Sequence, residues 1–283
     1  MFQFLKNRKV KQSISLPPPA PIPAAPAPAP LPVSVAFQQE TTPPEGLEIN
    51  LSETATLASK LFVEGDGNVI TIGAKSHVRG SIRIEGHGHE IKIGDNVTLN
   101  DHIIIQGNNN AISIGNRVSL AGQILVKGKE QRVEIGDGTR ARDVRILCQE
   151  GGFVKIGRDC LFSRQVEIRT TDSHALISRK TGERINLPGP VEIGAHVWIG
   201  LGVLVGKGAK IADDNVVGAK SFVTKPFLES GTVIAGVPAK VVKRDVTWQR
   251  DCKPIYDLDT LDGWRAIVFI VSICLLPDLL PFA

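Results

Sequence analysis

The chain has 283 residues, 42% of them hydrophobic, which is enough for one large globular unit with a sizeable core. Its formal charge of +4 equals the contribution of Lys6, Arg8, Lys9 and Lys11, so the rest of the chain is balanced. This balance excludes a broad nucleic-acid-binding face. The four cysteines show neither Cys-x-x-Cys spacing nor the density of a secreted disulfide scaffold, which predicts a reducing, cytoplasmic location.

The first 45 residues are predicted to lack a packed core. Residues 1–16 are basic with scattered apolar side chains, and they do not match the apolar segment and cleavage site of a signal peptide. Residues 17–32 carry nine prolines interleaved with alanine. Proline fixes φ and removes an amide donor, so this stretch is predicted to be an extended, disordered linker.

A repeat of 21 residues begins near Leu47. Isoleucine recurs at 72, 93, 114, 135 and 156, and glycine follows it each time. Within a unit an apolar residue returns every six positions, as in Ile72, Val78 and Ile84, which fits one inward side chain on each of three short strands. The three extra residues fall in stretches such as 86–89 and 107–110, which are rich in Gly and Asn and therefore suit turns with positive φ.

After an interruption at 169–190, the spacing returns as six without exception from Ile193 to Val223. Residues 46–245 are therefore predicted to form an all-β solenoid of about eight coils, six of 21 residues and then two of 18. Such coils pair as parallel strands and stack into a prism.

Four motifs identify a family resemblance: "TDSHALIS" (171–178), "PVEIGAHVWIG" (190–200), "VVGAKSFVTK" (216–225) and "IAGVPAKVVKR" (234–244). With the repeats, they resemble the hexapeptide-repeat acyltransferases, and most of all the galactoside and maltose O-acetyltransferases and the relatives that acetylate bacterial capsular polysaccharides or exopolysaccharides. The resemblance implies a left-handed parallel β-helix, a homotrimer with active sites at the subunit interfaces, acetyl-coenzyme A as donor and a saccharide acceptor.

The interruption is the predicted place of the catalytic base. Moving an acetyl group from a thioester to a sugar hydroxyl needs a base for the hydroxyl proton, and imidazole suits this task at neutral pH. His174 is the predicted base, and the resemblance implies that its loop projects toward a neighbouring subunit. Asp172 is predicted to orient the ring or stabilise its charge, unless a backbone carbonyl does so. Arg169, beside the loop, is a candidate acceptor contact.

Trp198 and His196 are predicted to point outward, because alternation with the inward Ile199 places them on the outer face. The resemblance implies that Trp198 lines the acceptor and thioester pocket, and His196 is a second candidate there. Leu201 stands where the galactoside and maltose enzymes often have a small or polar residue, so the acceptor is expected to differ from a simple galactoside.

The resemblance also implies a coenzyme site in the last coils. Small residues that could admit the pantetheine arm are Gly200, Gly218 and Ala219. The candidate contacts beside the arm and at the phosphates are Thr224, Lys225, Lys240, Lys243 and Arg244. No metal is expected, because the histidines lack the His-x4-His spacing of a γ-class carbonic anhydrase.

Two alternatives stay open at this point. A non-catalytic glycan-binding or scaffold protein would keep the prism without the base, and an N-acyltransferase would act on an amino sugar.

Residues 246–283 form a C-terminal extension with two of the three tryptophans. Its apolar run, 266–276, is shorter than the roughly 17 residues that span a bilayer as a helix. It is predicted to be a short helix that caps the prism or packs in the trimer. The alternative is a peripheral contact with the inner face of the cytoplasmic membrane, through 1–16 or 264–283.

Overall fold

The computed structural model describes residues 43–265. The basic N-terminus, the proline-rich linker and the apolar run predicted as a helix lie outside the described residues. Between 43 and 265, no helix is long and apolar enough to cross a membrane.

The regular secondary structure of the described chain is almost entirely strand. The strands before the interruption are β1 (Leu47–Leu51), β2 (Thr56–Glu64), β3 (Asn68–Ile72), β4 (His77–His87), β5 (Glu90–Ile93), β6 (Thr98–Asn108), β7 (Ala111–Ile114), β8 (Ser119–Lys129), β9 (Arg132–Ile135), β10 (Arg140–Gln149), β11 (Phe153–Ile156), β12 (Leu161–Phe162) and β13 (Val166–Arg169). Those after it are β14 (Val191–Ile193), β15 (Trp198–Ile199), β16 (Leu204–Val205), β17 (Lys210–Ile211), β18 (Val216–Val217), β19 (Phe222–Val223), β20 (Val233–Gly236) and β21 (Ala239–Lys243). Two 3₁₀ turns follow, Leu258–Thr260 and Gly263–Arg265.

The strands form the three walls of a prism. Wall 1 is an eight-stranded sheet in the order β1-β3-β5-β7-β9-β11-β14-β17. The long strands β2, β4, β6, β8 and β10 each cover both other walls, because β10 pairs with β12 on wall 2 and with β13 on wall 3. Wall 2 continues through β15, β18 and β20, and wall 3 through β16 and β19. All of these pairings are parallel; β21 alone joins in antiparallel fashion, at β20.

The predicted β-solenoid is confirmed. The inward side chains of wall 1, from Ile72 to Ile193 and Ile211, are buried against those of walls 2 and 3 in one continuous core. The stack has about nine turns, one more than predicted, because β20 pairs with β18 and continues wall 2 beyond the last regular coil. The chain passes from wall 1 to wall 2 at a first corner, from wall 2 to wall 3 at a second, and back to wall 1 at a third.

The predicted third anchors, such as Ile84, are buried as expected, but in the enlarged coils they are not the only inward side chains on wall 3. In the regular coils the third anchor is Val205, which pairs with Ile168. Following the register down wall 3 leads from Ile168 to Ile82, two residues before the predicted Ile84. Both isoleucines are buried, so the enlarged coils carry two inward side chains on this wall and their third strand is longer. The extra residues are thus partly strand and only partly turn.

A local bulge shifts one further anchor. The pairing of β10 with β8 changes register between Ala141 and Val144, so Cys148 lies opposite Val126. Cys148 therefore takes the inward position that even spacing assigns to Leu147. Counting residues cannot detect such a bulge, because the period of the coil as a whole is unchanged.

The glycine after each wall 1 isoleucine is required by close stacking at the first corner. A Cβ added to Gly94 would lie 2.9 Å from the carbonyl carbon of Gly115, and one on Gly157 would lie 2.5 Å from that of Gly194. Real Cβ atoms do not approach so closely. The contact between Gly157 and Gly194 spans the interruption, so the coils on both sides stack as if the loop between them were absent.

Asp101 is a buried acid within this prism. It follows Leu99 on β6 and faces the interior with 2% exposure. One carboxylate oxygen accepts the His102 amide at 2.7 Å, and the other has no hydrogen-bond partner within residues 43–265. Burial raises the pKa of Asp101 to about 7.

Asp101→Ser is expected to flatten the pH dependence of stability. An acid with a higher pKa in the folded chain stabilises the fold at low pH, and this contribution is lost as the pH rises from the unfolded pKa, near 4, to the folded one. The wild-type free energy of unfolding should therefore fall by about 4 kcal/mol over that range through this group. Serine is compatible with the position because Ser59 is in the same column, two coils away.

The measurement is urea unfolding between pH 4 and 9. The exposed Asp143→Ser variant serves as control and should keep the wild-type slope. If the free energy of unfolding fell as steeply with pH in Asp101→Ser as in wild type, a group other than Asp101 would cause the pH dependence.

Candidate functional site

The interruption forms a loop, residues 170–190, at the third corner of the prism. It leaves β13 after Arg169 and returns at β14. An isolated antiparallel bridge between Ile177 and Arg184 joins its two arms. Arg184 also donates from Nη1 to Glu150 in the preceding coil at 2.7 Å. The loop is therefore fastened to the wall from which it departs.

Asp172 fixes the shape of the loop. Its Oδ2 accepts from Lys207 Nζ at 2.6 Å and from Asn186 Nδ2 at 2.8 Å. The bond from Lys207, followed by that from Asn186, lowers the pKa of Asp172 below its ordinary value. Asn186 also donates to the backbone carbonyl of His174 at 2.8 Å. Asp172 thus bonds to Asn186 of the loop and to Lys207 of the next coil, and within the described residues no hydrogen bond joins it to the His174 ring. Its predicted effect on that ring stays a prediction.

His174 is an exposed residue in the first arm of this loop. Its carbonyl is held by Asn186, and within the described part of the chain its ring has no hydrogen-bond partner. Arg169 supports the adjoining residue, because its Nη2 donates to Ser173 Oγ at 3.2 Å while its Nε lies 3.4 Å from Glu167. The result is an imidazole with both nitrogens free on a backbone that is held in place.

Trp198 points outward from wall 2, as alternation predicts. Its side chain is 39% exposed, and it lies in register between Leu161 and Val216 of the adjacent coils. The Trp248 ring lies against it, with the centroids 6.2 Å apart and the planes tilted by 44°. An exposed indole beside a second indole offers a flat apolar surface for a ligand.

His196 points away from the core, as alternation predicts, but its ring is covered and not exposed. It occupies the first corner with a φ of 53°, in the left-handed region. Its ring is buried between the indoles of Trp248, 4.4 Å away, and Trp264, 4.9 Å away, with interplanar angles of 12° and 7°. Its Nδ1 lies 2.9 Å from Asp214 Oδ1. This ring is structural and does not line an open pocket.

The two tryptophans belong to a segment that we call the C-terminal strap, residues 246–265. The strap follows the first corner across several coils. Trp248 Nε1 donates to the His196 carbonyl at 2.8 Å, Thr247 donates to Asp214 at 2.7 Å, and Arg158 donates to the Trp264 carbonyl. Farther along, Arg250 donates to the Gly138 carbonyl at 2.9 Å. The strap therefore covers the corner beside Trp198.

The predicted coenzyme residues fall into two groups on either side of wall 3. Gly200 stacks on the next coil at the second corner, where an added Cβ would lie 2.7 Å from the Ala219 amide nitrogen. Lys240 pairs with Ala235, which lies over Gly218 in the last turn. Thr224 and Lys225 lie instead at the third corner, where Gly206 donates to the Val223 carbonyl.

The exposed cations differ in their freedom to bind an anion. Arg244 is paired with Glu229 at 2.9 Å, whereas Lys225, Lys240 and Lys243 have no carboxylate within 4.0 Å among the described residues. Lys225 Nζ lies 5.7 Å from the centre of the Phe227 ring. Between residues 43 and 265, no cluster of three or more His, Cys, Asp or Glu side chains could hold a metal ion.

Sequence reasoning missed Asn186, Lys207 and Asp214. Each is a polar residue outside the apolar repeat, so periodicity gives it no weight. The C-terminal tryptophans did carry a signal, since they stand out in a chain with three. Their partner on the prism could not be read from the sequence.

Comparison with known proteins gives a consistent group of relatives. A polysialic acid O-acetyltransferase of known structure superimposes with a TM-score of 0.63 and 31% identity, over 72% of this chain and 99% of that one. A polysialic acid O-acetyltransferase of Neisseria meningitidis is 34% identical over 119 residues, 41% of this chain and 55% of the relative. The galactoside O-acetyltransferase of Escherichia coli K12 is 39% identical over 93 residues, 32% of this chain and 43% of the relative. In sequence, the chain thus spans about half the length of these curated relatives. No family model matches the chain.

Trp248→Ala is expected to destabilise the protein strongly and Trp198→Ala only slightly. Trp248 is buried against His196, and truncating a buried tryptophan typically costs about 3–5 kcal/mol. Trp198 is partly exposed, so its removal should cost about 1 kcal/mol or less. Urea unfolding of both variants measures the difference. If both variants lost the same free energy of unfolding, Trp248 would have no special structural role.

Proposed function

The chain belongs to the hexapeptide-repeat acyltransferases, and from this premise we propose that it is an O-acetyltransferase that moves an acetyl group from acetyl-coenzyme A to a saccharide hydroxyl. The acceptor class we propose is a bacterial surface polysaccharide or its precursor. The observation that carries the proposal is the free imidazole of His174 on a loop fastened by Asp172, Asn186 and Arg184.

In the proposed reaction, His174 acts as general base and no acyl-enzyme forms. Bound acetyl-coenzyme A supplies an activated thioester. One ring nitrogen of His174 accepts the proton of the acceptor hydroxyl as its oxygen bonds to the acetyl carbon. The carbon–sulfur bond breaks, and the imidazolium returns the proton to the departing thiolate, so the products are an acetyl ester and a free thiol. Imidazole suits both proton transfers at neutral pH.

Asp172 is a positioning residue in this mechanism. Asp172 accepts from Asn186, which in turn donates to the His174 carbonyl, and it accepts from Lys207 of the adjoining coil. A base whose backbone is fixed loses less entropy when the acceptor arrives. Arg169 supports the same backbone through Ser173.

For the donor, we propose the two groups of residues beside wall 3. Lys225, Lys240 and Lys243 are exposed and without carboxylate partners in the described chain, which suits coenzyme phosphates. Gly200, Gly218 and Ala219 offer a corner without bulky side chains to the pantetheine arm. Arg244 is less suitable because Glu229 already neutralises it.

We further propose that the complete site lies between two copies of the chain, in a homotrimer. His174 leaves the prism at the third corner, whereas Trp198 lies on wall 2 beyond the first corner, with wall 1 between them. The loop also exposes four aliphatic side chains, Leu176, Ile177, Ile185 and Leu187, each about half to two-thirds exposed. An apolar patch on a fixed loop suits burial against a second subunit.

We place the protein in the cytoplasm. Within residues 43–265, Cys148, Cys160 and Cys252 form no disulfide with one another, which supports a reducing compartment.

His174→Ala is expected to abolish acetyl transfer without loss of fold. The ring is exposed and makes no hydrogen bond within the described chain, so stability should be unchanged, while losing a general base should lower the rate by about 100-fold or more. The assay is thiol release from acetyl-coenzyme A with a panel of saccharides. His102→Ala, which removes another exposed histidine, is the matched control. Full activity of His174→Ala would favour a scaffold or a different base.

Mixing His174→Ala with Trp198→Ala chains is expected to restore part of the activity. In randomly mixed trimers, about a quarter of the interfaces combine an intact His174 with an intact Trp198. The chains are denatured together, refolded and assayed for thiol release. Mixtures no more active than the two variants refolded separately would indicate that each chain carries its own complete site.

A further inference from the structure

A cleft with four arginines runs along the first corner and wall 2, away from the loop of His174. Its volume is about 760 Å³. Its lining includes Arg117, Arg140, Arg142 and, from the C-terminal strap, Arg250. Nothing in the proposed acetyl transfer uses these residues.

The positive charge of the cleft is largely uncompensated. Arg117 lies 3.5 Å from Asp137, but within residues 43–265 no carboxylate lies within 4.0 Å of the other three arginines. Arg250 is turned into the cleft by its bond to the Gly138 carbonyl. Burial and the nearby charge of Arg140 lower the pKa of Arg250, although it stays charged. Four like charges held together with a single ion pair among them favour the binding of an anion.

The cleft leads to Trp198. Thr98, Ser119, Arg140, Leu161 and Trp198 occupy the same outward position on five successive coils. Coils lie about 4.8 Å apart, so this column is about 19 Å long. That length suits several linked sugars rather than one. Along the column, the two hydroxyl side chains come first, then the guanidinium of Arg140, then the aliphatic Leu161 and the indole of Trp198.

We propose that this cleft binds an acidic glycan chain, with carboxylates on the arginines and the chain directed toward Trp198. Guanidinium groups bind carboxylates through paired hydrogen bonds, and the hydroxyls of Thr98 and Ser119 suit neutral positions of the sugar. Leu161 and Trp198 suit the apolar face of a sugar ring. The assignment of this glycan as the acceptor rests on the proposed function, whereas its binding does not.

The test is equilibrium binding of a fluorescent polygalacturonate oligomer to the full chain, without acetyl-coenzyme A, followed by anisotropy. The double variant Arg140→Gln and Arg142→Gln should weaken binding about tenfold. Added salt should weaken wild-type binding steeply. A neutral dextran oligomer of equal length should not bind.

The matched control is Arg79→Gln with Arg132→Gln. It removes the same charge from two exposed arginines that do not line the cleft, so binding should stay within about twofold of wild type. Equal weakening in both double variants would overturn the proposal, because it would reflect general charge. So would equally tight binding of coenzyme A or an oligothymidylate that depends on Arg140 and Arg142, since the cleft would then be a phosphate site.

Thiol release separates this proposal from the enzymatic one. Glycan binding that requires the cleft arginines, combined with no thiol release from any acceptor, would support the cleft and reject the acetyltransferase. Thiol release with small neutral saccharides, combined with no binding of polygalacturonate by wild type, would support the acetyltransferase and reject the proposed role of the cleft.

Discussion

Close stacking of backbone at the first corner is the constraint on which the prism depends. From Gly73 to Gly157, each glycine after a wall 1 isoleucine leaves no room for a Cβ above the next coil. Glycine permits the coils to approach to the spacing of hydrogen-bonded parallel strands, as in the bond from the Gly94 amide to the Ile114 carbonyl at 2.8 Å. The buried aliphatic columns stabilise their register. Because Gly157 meets Gly194 in the same way, a loop of about 20 residues leaves the wall without disturbing the coils around it. Such a wall can hold a projecting base at a defined position.

The repeat determined how much of the fold could be predicted. Isoleucine followed by glycine every 21 residues predicted the coils, wall 1 and the outward direction of Trp198, because alternation holds wherever the strand is regular. It failed where backbone geometry departs from the strand. The bulge in β10 moves Cys148 into the inward position that even spacing gives to Leu147. This bulge does not change the number of residues in the coil, so it leaves no trace in the spacing.

The site was predicted only in part, for a related reason. The break in the repeat marked His174 as exceptional, but the partners of the loop are single polar residues on three separate segments. Glu150 precedes the loop, Asn186 lies within it and Lys207 follows one coil later. Their proximity is a product of the stacking, and only the fold brings them together. The same holds for the strap, where Trp248 reaches a histidine 52 residues earlier.

The strap connects two features that are separate in sequence. Its Trp248 ring packs beside Trp198, and its Arg250 adds a positive charge to the cleft on wall 2. The stacked His196 ring anchors the segment between these two points, with Asp214 and Thr247 completing the contact. A bare prism wall is flat and open. By covering the first corner, the strap turns part of it into a cleft whose lining reaches Leu161, one coil from Trp198, while His174 lies on the opposite side of wall 1. In a single chain the cleft and His174 face different directions, which is why the proposed site needs a second subunit.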